Sequence, residues 1–343
     1  MTNFFHDLHA SPFAFAAFSI TSAALWPYFA GGAILIIGIV MARKYKVPQA
    51  HGLDRIVFLG PLLLAIPMAI FGGDHFMAAP FVAKIVPSWI PGQLFWTYFV
   101  GVALIAAALS LATKIQPRLS AALLGIMIFI FVLTIHIPSC FATPYDKTRL
   151  TIVLRDSTLA GAALAFAASR SEGCQVEGTP AWLQSLGLHS LGSILIVAAR
   201  FFIAISMAVF GIDQYLNPTF APGIPQEGPA FIAMPAWIPG HVFWAYLTGT
   251  IFVVCAIGLT TRKYARSAAT FLGVTVLALA LFIYLPITIA KASDIANGLN
   301  YLAIHLALAG AALLLAGSLP TTQAEYAAVA EVEPSSLSRL PNS

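Results

Sequence analysis

A short segment occurs twice along this chain, and each copy opens a long apolar run. Pro87-Ser88-Trp89-Ile90-Pro91-Gly92, followed by Phe95, Trp96, Tyr98 and Gly101, returns as Pro235-Ala236-Trp237-Ile238-Pro239-Gly240, followed by Phe243, Trp244, Tyr246 and Gly249. The spacing is the same in both, and Trp, Pro and Gly are uncommon enough that tandem duplication is the simplest explanation. The copies extend in both directions. Phe71-Gly72-Gly73-Asp74-His75-Phe76 is matched by Phe210-Gly211-Ile212-Asp213-Gln214-Tyr215, and Pro138 by Pro286. Leu159-Ala160-Gly161-Ala162-Ala163-Leu164 is matched by Leu308-Ala309-Gly310-Ala311-Ala312-Leu313.

The solvent of the duplicated unit follows from composition. Hydrophobic residues make up 59% of the chain and charged residues 9%, against about 25% charged in soluble domains. A hydrocarbon core of about 30 Å needs roughly 20 apolar residues per helix. Nine such runs are read at 24–41, 56–72, 93–113, 119–137, 151–169, 191–211, 241–260, 267–288 and 298–317. They are continuous rather than alternating, which predicts helices and not a barrel. The expected fold is an all-α membrane protein of about nine transmembrane helices, with tandem parallel-repeat four-helix bundles. Its segments are 1–54 with a leading helix, a first unit 55–170, a linker 171–190, a second unit 191–318 and a polar, disordered tail 319–343. Each unit has four spans, an even number, so both copies enter the membrane in the same direction. Residues 12–21 either extend the first helix or lie in the interface. No Lys or Arg precedes Arg43, so no cleaved secretory leader is expected.

Basic residues set the expected orientation. Arg43, Lys44, Lys46, Arg55, Lys114, Arg118, Arg170, Arg262, Lys263, Arg266 and Arg339 fall on one side, and Lys84, Lys147, Arg149 and Lys291 on the other. The richer side is expected to be cytoplasmic, with the N-terminus outside. The net charge of +4 therefore reads as topology, and no nucleic-acid partner is expected. Cys140, Cys174 and Cys255 fall in different layers, so no disulfide is expected. The eight histidines show no zinc spacing, so no metal site is expected. No covalent haem motif and no nucleotide-binding loop is present. His136 and His305 are the pair from which two-histidine haem ligation across helices would have to be built.

Ionisable residues inside a bilayer are costly and mark functional sites by default. Arg200 lies well inside span six, Arg155 and Asp156 enter span five, and His305 occupies the position in span nine that matches Asp156. We expect Arg155, Asp156, Arg200 and His305 to form an interior polar site, with Arg200, Asp156 and His305 facing one cavity. The alternatives are separate partners for Arg200 and His305 and outward snorkelling of Arg155. Asp74, His75, Asp213 and His241 form a second set, either a proton-exchanging outer mouth or polar helix ends. Trp89, Trp96, Trp237 and Trp244 read as interfacial anchors, with the walls of a pocket for a flat ligand such as a quinone as the alternative. The Leu-Ala-Gly-Ala-Ala-Leu segments read as packing seams. The second unit's longer, Pro- and Gly-rich first loop, Leu216–Ala233, reads as an irregular cover.

The Pro-x-Trp-Ile-Pro-Gly turn leading into Phe243-Trp244-Ala245-Tyr246-Leu247-Thr248-Gly249, with Ile257-Gly258-Leu259-Thr260-Thr261-Arg262 at the far turn and Arg200 to Phe210-Gly211 before it, resembles the DoxX-like membrane proteins. The resemblance covers about 55–317 and is clearer in the second half. In the first half Pro61 stands where Arg200 would match. The resemblance implies two four-helix units in tandem in a bacterial cytoplasmic membrane. It also implies a membrane component of quinone-linked redox chemistry, with a quinone as ligand and a redox or membrane subunit as partner. A carrier of a small or lipophilic molecule and a non-catalytic structural subunit are the alternative functions.

Overall fold

The computed structural model describes residues 23–44, 53–143, 146–169, 188–225 and 238–320. Trp237, Cys174, Arg170, residues 12–21, most of the 171–190 linker and the tail from 321 onward lie outside them. Among the described residues there is no β-strand, and nine helices are long and apolar enough to span a bilayer. They are α1 (Trp26–Lys44), α2 (Gly60–Met77), α3 (Gln93–Thr113), α4 (Pro117–Phe131, continued by Val132–His136 and Ile137–Ala142) and α5 (Lys147–Ala168). After these come α6 (Leu188–Leu216), α7 (His241–Thr260), α8 (Ala265–Leu279, continued by Ala280–Tyr284 and Leu285–Ala290) and α9 (Leu299–Ser318). The chain is thus an all-α, multi-pass membrane protein in which α1 precedes two parallel repeats, α2–α5 and α6–α9. Ile36, Phe95, Leu123, Phe243, Ile257, Phe282 and Ile289 point outward, a belt that lipid covers.

One face of the membrane region carries the two Pro-Gly turns, and the opposite face carries Lys114, Arg118, Arg262, Lys263 and Arg266. Gly92 and Gly240 both stand at φ 71° as the residues that open α3 and α7. This left-handed conformation is open to glycine at no steric cost. One turn into each helix an indole reaches back. Trp96 Nε1 donates to the Pro91 carbonyl at 3.2 Å, and Trp244 Nε1 to the Pro239 carbonyl at 3.1 Å. Asp146 opens α5 by accepting the Thr148 N–H and the Arg149 Nε–H, each at 3.0 Å. Slight desolvation pushes its carboxyl up, but these bonds outweigh it and hold the group below the usual carboxylate range.

Helices α2, α4 and α6 outrun the apolar runs that announce them. The run ending at residue 72 continues as helix to Met77, and the one ending at 211 continues to Leu216. Their glycines serve close packing rather than termination. A Cβ on Gly72 would lie 3.0 Å from the Gly101 carbonyl oxygen, and one on Gly211 would lie 2.8 Å from that of Gly249. Within α4 and α8, single π-helical turns at Val132–His136 and Ala280–Tyr284 precede Pro138 and Pro286. A proline lacks an N–H and crowds the carbonyl four residues back. The wider turn, with its bonds to the fifth residue, absorbs both defects without ending the helix. His136 and Tyr284 close the two turns at matching positions.

The small-residue seams join one repeat to the other. A Cβ on Gly310 of α9 would meet the Leu64 backbone nitrogen of α2 at 2.6 Å. One on Gly161 of α5 would meet Ala199 Cα of α6 at 3.2 Å. The last helix of each repeat therefore lies along the first helix of the other, and α5 and α9 also touch. Residues Tyr301–Ala316 of α9 are buried throughout, so α9 is the core of the assembly. Helix α1 covers α2, with Gly38 against Leu62 and Gly31 against Ile70.

Candidate functional site

Each π-turn delivers its last residue to the helix that follows in the same repeat, at the residue three before the seam. In the first repeat His136 Nε2 lies 3.1 Å from Asp156 Oδ2, and Arg155 Nε donates to Asp156 Oδ1 at 2.8 Å. The side chains are 20%, 14% and 17% exposed for His136, Asp156 and Arg155, so this charged cluster keeps partial access. Asp156 is nine residues into α5, which places it roughly 13 Å from the turn-face end at 1.5 Å per residue. A charged group at that depth needs a partner or a polar cavity, and His136 with Arg155 supplies the partner. Just below, Thr158 Oγ1 donates to Ser206 Oγ at 2.9 Å, tying α5 to α6.

The matching site in the second repeat is filled by the chain itself. Tyr284 and His305 stack with ring centroids 3.7 Å apart. The segment after α6 then descends onto them, and Ala221 to Ile224 are buried. The Ile224 N–H donates to His305 Nε2 at 3.2 Å, so Nδ1 carries the ring proton and donates to the Tyr301 carbonyl at 2.8 Å. Tyr284 Oη donates to the Pro222 carbonyl at 3.1 Å, and Gln214 Nε2 to the Gly223 carbonyl at 3.1 Å. The expected cover loop is irregular over 217–225 and acts as a plug; its continuation from 226 to 233 lies outside the described residues. Both ring nitrogens of His305 are engaged and His136 Nε2 faces Asp156, so these histidines do not form a haem-ligating pair.

Gly223 is the tightest point of the plug. Its φ is 132°, and a Cβ would sit 2.3 Å from His305 Nε2. Gly223→Ala is expected to push the loop away and leave the Ile224 N–H and His305 without each other. The cost should be about 2 kcal/mol, because a loop can withdraw where a helix cannot. Thermal unfolding in lipid nanodiscs checks this, and an unchanged midpoint would contradict the plug.

The four residues expected to form one interior site separate into three places. Arg155 and Asp156 stay together and gain His136. His305 belongs to the plugged site. Arg200 is buried, but its Nε donates to the Leu259 carbonyl at 2.9 Å, near the end of α7 at the basic face. Leu259 is eighteen residues into its helix, whereas His305 is six and Asp156 nine into theirs. At about 1.5 Å per residue, Arg200's anchor is roughly 13–18 Å deeper. The shared cavity is therefore not formed. Arg200 satisfies one of the last carbonyls of α7, which lack helical donors, and Arg266 does the same for α9 through Ala316 and Leu319.

The outer-mouth set also divides. Asp213 Oδ1 accepts from Asn217 Nδ2 at 2.8 Å, a helix-end bond. His75 Nδ1 lies 2.7 Å from the Phe71 carbonyl of its own helix. His241 opens α7. Asp74 is turned inward between α2 and α9, beside Asn300. Trp89, Trp96 and Trp244 are exposed, and the latter two brace the Pro-Gly turns, as membrane-interface anchors do. His136 and Tyr284 gave one signal in the sequence: each stands two residues before one of the matched prolines.

The fold and the site define a duplicated multi-pass membrane protein with one partly buried polar cluster and one counterpart filled by the chain itself. A family model described as a domain of unknown function (DUF8561) matches residues 64–156, from within α2 to Asp156 itself. No curated protein and no solved structure matches the chain.

Proposed function

We propose that the chain is a DoxX-like protein of a bacterial cytoplasmic membrane, a membrane component of quinone-linked redox chemistry. In this reading the N-terminus is outside, the basic face is cytoplasmic, and electrons are exchanged with a partner redox subunit. The observation that carries the ligand assignment is the contrast between the repeats. The cradle that Pro222, Gly223 and Ile224 fill in the second repeat corresponds to a partly accessible His136–Asp156–Arg155 cluster in the first. A quinone headgroup offers oxygen acceptors to the guanidinium, and the hydroxyl of its reduced form a donor to His136 Nδ1, while its ring sits among apolar side chains. Asp156 orients the His136 ring and balances Arg155.

The test is a thermal-shift series on the purified protein with a short-chain quinone. The quinone is expected to raise the unfolding midpoint of the wild type and not that of His136→Asn. Equal shifts in both would overturn the assignment. The alternative, a carrier of a small or lipophilic molecule, draws on the same parallel repeats and buried charges. It would be favoured by uptake into vesicles that depends on Asp156 with no response to quinone.

A further inference from the structure

Two buried oxygens near the turn face have no hydrogen-bond partner: Asp74 Oδ1 on α2 and Asn300 Oδ1 on α9. The two side chains adjoin, with the Asn300 amide N–H reaching the Asp74 carboxyl, at the place where the first helix of one repeat meets the last helix of the other. Helix α1 closes over them. Its Pro27 backbone packs against Gly73, where a Cβ would come within 2.8 Å of Pro27 Cα, and Tyr28 Oη donates to the Ala292 carbonyl at 2.8 Å. An unpartnered buried acceptor costs about 1–3 kcal/mol, and more when charged. One amide N–H leaves both of these oxygens unserved, and a proton on the carboxyl would supply the missing donor.

We propose that Asp74 and Asn300 form a proton-binding site, in which the Asp74 carboxyl carries the proton as an O–H donor and the Asn300 amide oxygen accepts it. The surroundings suit a proton better than a metal ion. Among the described residues no group of three or more His, Cys, Asp or Glu could hold a metal, and hard cations take six or more oxygens. The titratable neighbours are Tyr28 of α1, which lies in electrostatic reach of Asp74 and Asp294, and His75, bound to its own helix. Asp294, before α9, is engaged by Asn297, Tyr98 of α3 packs at a tilt against Phe76, and Lys291 is exposed. None of these contacts supplies a donor to the pair. Among the described residues the second repeat shows no such pair, since its matching Asp213 is bonded by Asn217. The proposal is independent of the quinone reading.

Infrared spectroscopy of the full-length protein in lipid nanodiscs tests it. At neutral pH the wild type should show a carboxylic-acid C=O band that disappears in Asp74→Asn, persists in Asp74→Glu and shifts in Asn300→Leu. Asp74→Asn mimics the protonated acid and should keep the wild-type helical circular dichroism. A wild type without the band, or a band that survives Asp74→Asn, would overturn the proposal. So would a band that sodium ions abolish, since that would make the site a metal site.

Discussion

Gly310→Val is expected to destabilise the protein by more than about 3 kcal/mol, the largest effect of any single change considered for this fold. A Cβ at residue 310 meets the Leu64 nitrogen at 2.6 Å, the Leu63 carbonyl carbon at 2.9 Å and the Gly60 oxygen at 3.1 Å. All three are backbone atoms of α2, so no rotamer change relieves the overlap. The helices must part along the seam that joins the two repeats, and the burial of α9 is lost with it. Gly32→Ala is the control, since a Cβ there meets nothing within 4 Å, and its unfolding midpoint should match the wild type. If Gly310→Val unfolded with Gly32→Ala, the interlocked arrangement of α2 and α9 would be wrong.

Asp156→Ala should cost about 2–3 kcal/mol, somewhat under the 3–5 kcal/mol for a fully buried pair because the side chains keep partial access. The loss comes less from the missing attraction than from stranding the Arg155 guanidinium at membrane depth. Replacing the whole cluster removes that penalty. His136→Phe, Arg155→Met and Asp156→Leu together should recover most of the stability while abolishing ligand response. Denaturant unfolding of the single and triple variants separates the two roles. A triple variant as unstable as Asp156→Ala would mean that the cluster is needed for folding.

Much of this architecture is legible before any coordinates. Each of the nine runs falls on one of the nine candidate spans among the described residues, and the repeat predicts that His305 stands where Asp156 does. Where the helices run past their apolar runs, the residues responsible have two uses. Gly72, Gly73 and Gly211 look like terminators but are contact points for a neighbouring helix. Pro138 looks like a stop for α4 but is carried through by a π-turn, and the helix runs on to Ala142. The site was only half legible. Asp156 stands out as a charge in an apolar run, whereas its partner His136 is set by the rotation the π-turn adds, which hydropathy does not record. Tyr284 and the Pro222–Ile224 plug left no charge signal at all, because aromatic rings and backbone groups bury without altering composition. Arg200 was conspicuous for its charge, yet its role as a helix-end partner depends on the crossing of α6 and α7.

Whether the first repeat takes a ligand where the second is filled by its own loop is tested most directly by counting bound ligand. Equilibrium binding of a labelled short-chain quinone to the protein in lipid nanodiscs should saturate at one ligand per chain. The site should vanish in the variant carrying His136→Ala and Asp156→Asn, and be retained in His305→Asn. Saturation at two ligands per chain, or one site that survives the loss of His136 and Asp156, would contradict that arrangement.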